Sequence, residues 1–320
     1  ALVPLALSHL ARGVHVVQRA QVDLSRDASA LEGQAAADPS TARAVSGAPS
    51  AGAPSSGGGR IPITLPDGSV SYAENERADE LAREGMDLAL AARQQATLEA
   101  AAAEIAAATG RRVIGIPTDT ASDASVSALV ARTVAELGGV DVLVNAAAKP
   151  GGQGPVPRLA EITDDLFFED MNVKVMGYLR CAREAAPHMQ QAGWGRIINI
   201  SGLAARSSGS TIGSMRNVAV AALTKNLADE LGPYGINVTG VHPGLTRTEK
   251  TAEVVAARAA ASGRKPEDVE AALASANVLG HLVTAEEVAH VVAFLASPKS
   301  IAINGDAIAA GGGVGRAIHY

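Results

Sequence analysis

Aromatic residues are scarce in this chain: one Trp, four Tyr and three Phe make up 2% of its 320 positions. Base stacking on aromatic platforms is thereby excluded as a main activity. Positive charge is also short, with 27 Lys and Arg against 33 Asp and Glu and a net charge of −6. That balance argues against a surface that tracks a phosphate backbone, and nucleic acid is not an expected partner. The single cysteine, Cys181, rules out an intrachain disulfide and a Cys-based metal site, and makes a reducing, cytoplasmic setting the default. The seven histidines are scattered, with no HxxxH or HExxH spacing, so no metal is expected. No apolar run approaches the roughly 20 residues that cross a bilayer, and no membrane partner is expected. The opening ALVPLALSHLARGVHVV has an apolar start but no basic stretch ahead of it, which argues against a signal peptide.

What is present falls into two parts. Residues 1–59 read as a low-complexity extension; from Ala28 to Gly59 they are mostly Ala, Ser, Gly and Pro, ending SGAPSAGAPSSGGG. So little apolar surface cannot offset the entropy of ordering the chain, and disorder is the expectation. Residues 60–320 form the expected domain. Strand-like runs, DLALAA (Asp87–Ala92), RVIGI (Arg112–Ile116) and VDVLVN (Val140–Asn145), alternate with helical stretches over Gln95–Thr109 and Ser122–Leu137. Gly110 and the Gly138-Gly139 pair stop those two helices. A helix over Thr163–Ala192, broken near Asp170, leads to GRIINIS. Thr251–Ala261 and Pro266–Ala274 follow as helices. Thr284 with Glu287 makes a capping box for a helix through Leu295, and Asp306–Ala310 is a last short strand. Strands and helices at this spacing describe an α/β fold with one doubly wound parallel sheet.

The most informative stretch is Gly195–Thr248: a strand at Ile197–Ile200, a helix with Val220, Leu223, Leu227 and Leu231 on one stripe, and a strand at Ile236–Val241. Ligands of such sheets sit outside the carboxyl ends of the strands, so the residues after Ile200 and Val241 are the ones to interrogate. His242 stands there as a strand-terminal residue. The weak place is the first strand, expected at Ile61–Leu65 ahead of a helix over Ala78–Gly85; Pro62 removes a ladder donor. The turn between them offers one glycine, Gly68, to approach a phosphate, and Glu74 and Glu76 add negative charge at the same place.

From about Ala78 to Gly313 the chain resembles the short-chain dehydrogenase/reductase family. PTDTASD, VNAAA (Val144–Ala148), GRIINIS, LTKNLADELGPYGINVTGVHPGLTRT, TAEEVAHVVAFLASP and GDAIAAGGG carry the resemblance, in order. It implies a Rossmann-like domain, a nicotinamide cofactor, a small-molecule carbonyl or alcohol substrate, and a homodimer or homotetramer. It places Asp119 beside the adenine, Asn145 and Ala147 at the end of the fourth strand, and Pro243, Gly244 and Thr248 around the nicotinamide carboxamide. Arg93, where an acid would bind the ribose hydroxyls of NAD, implies NADP over NAD, because a guanidinium pairs bidentately with the 2′-phosphate; NAD stays the alternative. Asn172 matches the family's active-site asparagine, and its serine position falls on Ser201 or Gly202, depending on the loop gap.

The resemblance breaks at the Tyr-x-x-x-Lys pair. The tyrosine position falls on Gly213 and the lysine position on Asn217; Tyr72, Tyr178 and Tyr234 are followed four residues on by Glu76, Ala182 and Val238. Carbonyl reduction needs a proton for the developing alkoxide, and a phenol with pKa near 10 needs a nearby cation to deliver it at neutral pH. Two readings stand: an oxidoreductase with altered catalytic residues, leaning on Ser201, Asn172 and a dinucleotide-contacting Asn217, or an inactive relative serving as a dinucleotide sensor or structural partner. A variant of the second is that residues 1–77 are not the natural start, which the change of character around Glu76–Ala78 supports.

Overall fold

Apolar runs four to eight residues long, rich in Val, Ile, Leu and Ala, build a seven-stranded sheet. The structure, a computed structural model, describes residues 15–19, 75–148, 156–248 and 251–315. The strands of the sheet are β1 (His15–Arg19), β2 (Asp87–Ala92), β3 (Val113–Pro117), β4 (Val142–Asn145), β5 (Gly195–Ile200), β6 (Ile236–Pro243) and β9 (Ala307–Ala310), while β7 (Thr246–Arg247) and β8 (Val283–Thr284) form a separate small pair. Their order in the sheet is β3-β2-β1-β4-β5-β6-β9.

Alternate residues of each strand face opposite layers. Leu88, Leu90, Val142, Val144, Ile198 and Val241 pack under helices α1 (Asn75–Arg83), α2 (Gln95–Thr109) and α9 (Ala285–Ala296). Ala89, Ala91, Leu143, Ile197 and Val238 pack under α3 (Asp123–Leu137), α5 (Gly177–Ala192) and α6 (Thr211–Leu231). Both faces are buried, as a parallel sheet requires. Local signals set the helix ends. Ser122 caps α3 by accepting from Ser125 N–H, Gly110 and Gly138 end α2 and α3 in the left-handed region at φ 69° and 88°, and the Thr284–Glu287 capping box opens α9. The Val220/Leu231 stripe of α6 is core, with Leu223 and Leu227 partly buried against it.

Two departures bear on the site. The central place of the sheet is taken by His15–Arg19, from within the stretch read as an extension, and it runs antiparallel to both β2 and β4. The expected strand Ile61–Leu65 and the turn around Gly68 lie outside the described residues. The physical reason is that a slot between two ladders leaves backbone donors and acceptors on both sides unmet unless a strand fills it. A short run carrying β-branched residues, such as the two valines of HVV, can do so from anywhere in the chain. Sequence order gave no hint of it. The second departure is the long helix. It breaks near Asp170, as expected, but the break is a π turn at Asn172–Met176 between α4 (Asp164–Met171) and α5 rather than an interruption of the helix.

Candidate active site

The strand order reverses its sequence direction beside β1, so the crevice above β2, β4, β5 and β6 is where such a sheet binds its ligand. The loop after β5 and the start of α6 form its centre. Ser201 directly follows β5, its N–H donating to Val241 O at 2.8 Å, and its hydroxyl donates to Asn217 O at 3.1 Å. That bond ties the strand end to the second turn of α6. Asn217 is 4% exposed and turns its Oδ1 toward Lys174.

Lys174 is the residue that sequence reasoning missed. It sits in the π turn, 3% exposed, and its Nζ donates to Asn217 Oδ1 at 3.0 Å and to Ser201 O at 3.1 Å. Burial, then the Arg216 guanidinium, push its pKa down to about 7, with the Asp170 carboxylate pulling the other way. Asp170 and Arg216 form a buried ion pair across α4 and α6, Nη1 lying 2.7 and 2.9 Å from the two carboxylate oxygens. The Tyr178 hydroxyl donates to Ile200 O at 2.8 Å, holding α5 to the end of β5.

The expected asparagine behaves otherwise. Asn172 Oδ1 accepts from Arg180 Nη2 at 2.9 Å, and Arg180 Nη1 also donates to Asn172 O and Thr120 O. Thr120 in turn donates its hydroxyl to Val173 O at 3.1 Å. Asn172 therefore clamps the π turn, and Lys174, two positions on, is the side chain delivered to Ser201 and Asn217. Asn145 is also turned inward. It is 0% exposed, donates to Asn199 Oδ1 at 2.9 Å, and Asn199 continues to the Thr224 hydroxyl at 3.0 Å. Its side chain fastens β4 to β5. Ala147 is likewise buried, against Tyr178 and Val220.

His242 is an acceptor, with Gly202 N–H directed at its Nδ1 at 3.4 Å. Burial first, then Arg206 and Lys174, push its pKa down to about 4, so it is neutral at pH 7 and holds no proton to give from that nitrogen. Gly213, one turn before Asn217, has no room for a side chain without moving the helix cap: a Cβ there would lie 2.8 Å from Ser210 Oγ, which accepts from Gly213 N–H.

The ends of the crevice fit a dinucleotide. At one, Arg93 stands exposed just past β2, and Asp119 folds into a turn in which its Oδ1 accepts from Ala121 N–H while its own N–H donates to Ser125 Oγ. At the other, Gly244 passes so close to Gly311 that a Cβ would lie 2.9 Å from Gly311 Cα. That leaves a side-chain-free turn beside Pro243, followed by Thr246 and the half-buried Thr248. The turn that would carry phosphates ahead of α1, with Gly68, lies outside the described residues. Because β1 is antiparallel, Arg19 leaves the sheet at the edge away from the crevice, opposite Asp87.

A doubly wound α/β domain with a polar cluster at the carboxyl edge defines a nucleotide-binding class of protein. The chain belongs to the short-chain dehydrogenase/reductase family. Residues 75–315 match the family model described as enoyl-(acyl carrier protein) reductase. The short-chain reductase protein NovJ of Streptomyces niveus is 35% identical over 74% of this chain and 87% of its own. The 3-oxoacyl-[acyl-carrier-protein] reductase FabG of Pseudomonas aeruginosa is 32% identical over 66% and 81%. Among solved structures, L-sorbose reductase from Gluconobacter frateurii, complexed with NADPH and L-sorbose, is similar at a TM-score of 0.70, with 27% identity and 76% and 92% of the two chains covered. Among the described residues no helix is long and apolar enough to cross a membrane, and no group of His, Cys, Asp and Glu could hold a metal.

Proposed function

We propose that the protein is an NADP-preferring oxidoreductase that interconverts a carbonyl and an alcohol, using altered catalytic residues. The observation that carries this reading is Arg93, a guanidinium at the end of β2 in a chain that matches the family over residues 75–315. Relatives named as reductases, and neighbours solved with NADPH, support it. Arg93 would hold the 2′-phosphate, Asp119 the adenine end, and Pro243, Gly244 and Thr248 the nicotinamide end. Bound there, the nicotinamide supplies or accepts the hydride. Ser201 and Asn217 flank the place for the substrate oxygen, with the Asn217 amide N–H groups left to donate once Lys174 has engaged its Oδ1. The half-buried Ser201 hydroxyl can swing from Asn217 O to a carbonyl.

The test is a titration of NADPH fluorescence, with NADH alongside. Tight binding of NADPH and turnover of it across a carbonyl panel are expected. No binding at millimolar cofactor sinks the oxidoreductase reading, and binding without turnover of any carbonyl favours the sensor. Arg93→Asp should weaken NADPH binding by about 10- to 100-fold, since a charge-assisted contact contributes about 1.5–3 kcal/mol. Equal losses for NADH and NADPH would remove the 2′-phosphate role.

The same reading includes a homo-oligomer. Phe168, Met176, Met215 and Val218 are 65, 39, 50 and 51% exposed on α4, the π turn and α6, an apolar set that a second copy can cover. A sedimenting dimer at micromolar concentration is expected, and Met215→Lys with Val218→Lys should shift it toward monomer. A parent chain that sediments only as monomer refutes the interface.

A further inference from the structure

Lys174 gives the site a cation that neither position of the missing pair supplies. The π turn explains how a lysine gets there. One extra residue in an i→i+5 turn rotates the following side chains, and such turns cluster at functional sites. Here it is braced by Arg180 on Asn172 O and by Thr120 on Val173 O. The consequence is an ammonium that reaches the end of β5 and the α6 position where Asn217 stands. Two of its three N–H groups go to Asn217 Oδ1 and Ser201 O; the third has no acceptor among the described residues. The surroundings of Asn217 are bare backbone on two sides. Gly213 lies one turn away, and a Cβ on Gly202 would come within 3.2 Å of Asn217 Nδ2. Small-molecule access to this cluster is therefore not blocked by side chains at 202 or 213.

We propose that Lys174 Nζ is the acid–base group of this site, giving its third proton to the substrate's carbonyl oxygen in reduction and taking it back in alcohol oxidation. This rests on the oxidoreductase reading above, in which a reduced nicotinamide supplies the hydride to the carbonyl carbon. The proton step balances on its own: the N–H bond breaks with its pair left on Nζ, an O–H bond forms on the substrate, and the neutral amine recovers a proton from water. The Arg216 guanidinium on α6 and the Asp170 carboxylate on α4 tune Nζ, and the Tyr178 ring on α5, its centroid 6.0 Å away, and His242 on β6 also face it. With a pKa of about 7, both protonation states are available at neutral pH, as acid–base work requires.

Three measurements test it together. In the cofactor-free protein, the ¹³Cε shift of Lys174 should titrate near pH 7; a midpoint above pH 9 overturns the proposal. Lys174→Met should keep NADPH binding within twofold and lower kcat for reduction by about 100-fold or more, a range typical of a lost general acid. Lys174→Arg, which keeps the charge but cannot release the proton, should lose the fall of kcat/KM above pH 7 together with most of the rate. A full rate in Lys174→Met, or an unmoved pH limb in Lys174→Arg, overturns the proposal while the oxidoreductase reading survives. Absence of NADPH binding by the parent protein overturns both.

Discussion

Asp170→Ala should destabilise the protein by about 3–5 kcal/mol, the usual cost of leaving one partner of a buried ion pair uncompensated. Both side chains are only 10% exposed, so water cannot take over the role of the carboxylate. Arg216 is already short of partners, since its Nε makes no hydrogen bond. The pair also joins α4 to α6 across 46 residues of sequence, so its loss loosens both walls of the crevice. Urea denaturation should show the midpoint falling with the slope preserved. The double variant Asp170→Leu with Arg216→Met should recover most of the loss, because an apolar pair of similar volume avoids the desolvation of two charges. A single Asp170→Ala variant within 1 kcal/mol of the parent would show that Arg216 finds water or another acceptor. There is a functional corollary. Asp170 holds the Lys174 pKa up, so removing it should move the pH limb of reduction to lower pH.

Much of this fold was legible because its signals are local. The strand at Asp87–Ala92, the helices at Gln95–Thr109 and Pro266–Ala274, and the Thr284–Glu287 box stand where propensity, caps and glycines placed them. The occupant of the central slot was not legible. A five-residue strand separated from its helix by more than fifty positions leaves no local periodicity, and pairing between distant segments is set by which ladder is open. In the site, the resemblance drew attention to Ser201, Asn217, Gly213 and Asn172 but passed over Lys174, which the structure brings to Ser201 and Asn217. A signal for Lys174 did exist. Positions 174, 178, 181, 185 and 189 lie on one helical stripe, and the other four are Tyr178, Cys181, Ala185 and Met189, all buried. A lysine heading an apolar stripe is either buried with partners or misplaced, and it should have been asked for its partners. Asn145, whose side chain turns to Asn199, shows a second limit. At a strand end the residue type suggests a ligand, whereas the pleat decides which way the side chain points.

The stability of the protein should rise as the pH is raised from 7 to 9, and Lys174→Met should abolish that rise. The sign follows from proton counts. In the folded protein Lys174 loses its proton around pH 7, while in the unfolded chain it keeps it to about 10.5. Between those values the unfolded state binds the extra proton, so stability increases with pH, with a slope approaching roughly 1.4 kcal/mol per pH unit. Below pH 7 both states are protonated and this group adds no further pH dependence; the cost of burying its charge is then fully present. Two other buried groups bound the window. His242, held down to about 4, makes stability fall as pH drops from 6.5, which lies below it. The Cys181 thiol, pushed up to about 12 by burial, makes stability fall as pH rises past 9, which lies above it. Between pH 7 and 9 the lysine acts without either. Urea midpoints of the parent and of Lys174→Met at pH 6, 7, 8 and 9 would show the difference directly. The variant should be the more stable at pH 6, since a thioether chain fills the same volume without a charge to desolvate, and the two curves should converge toward pH 9. Parallel curves across the window would mean that Lys174 keeps its proton in the folded state, and the site would then hold a fixed cation rather than an acid.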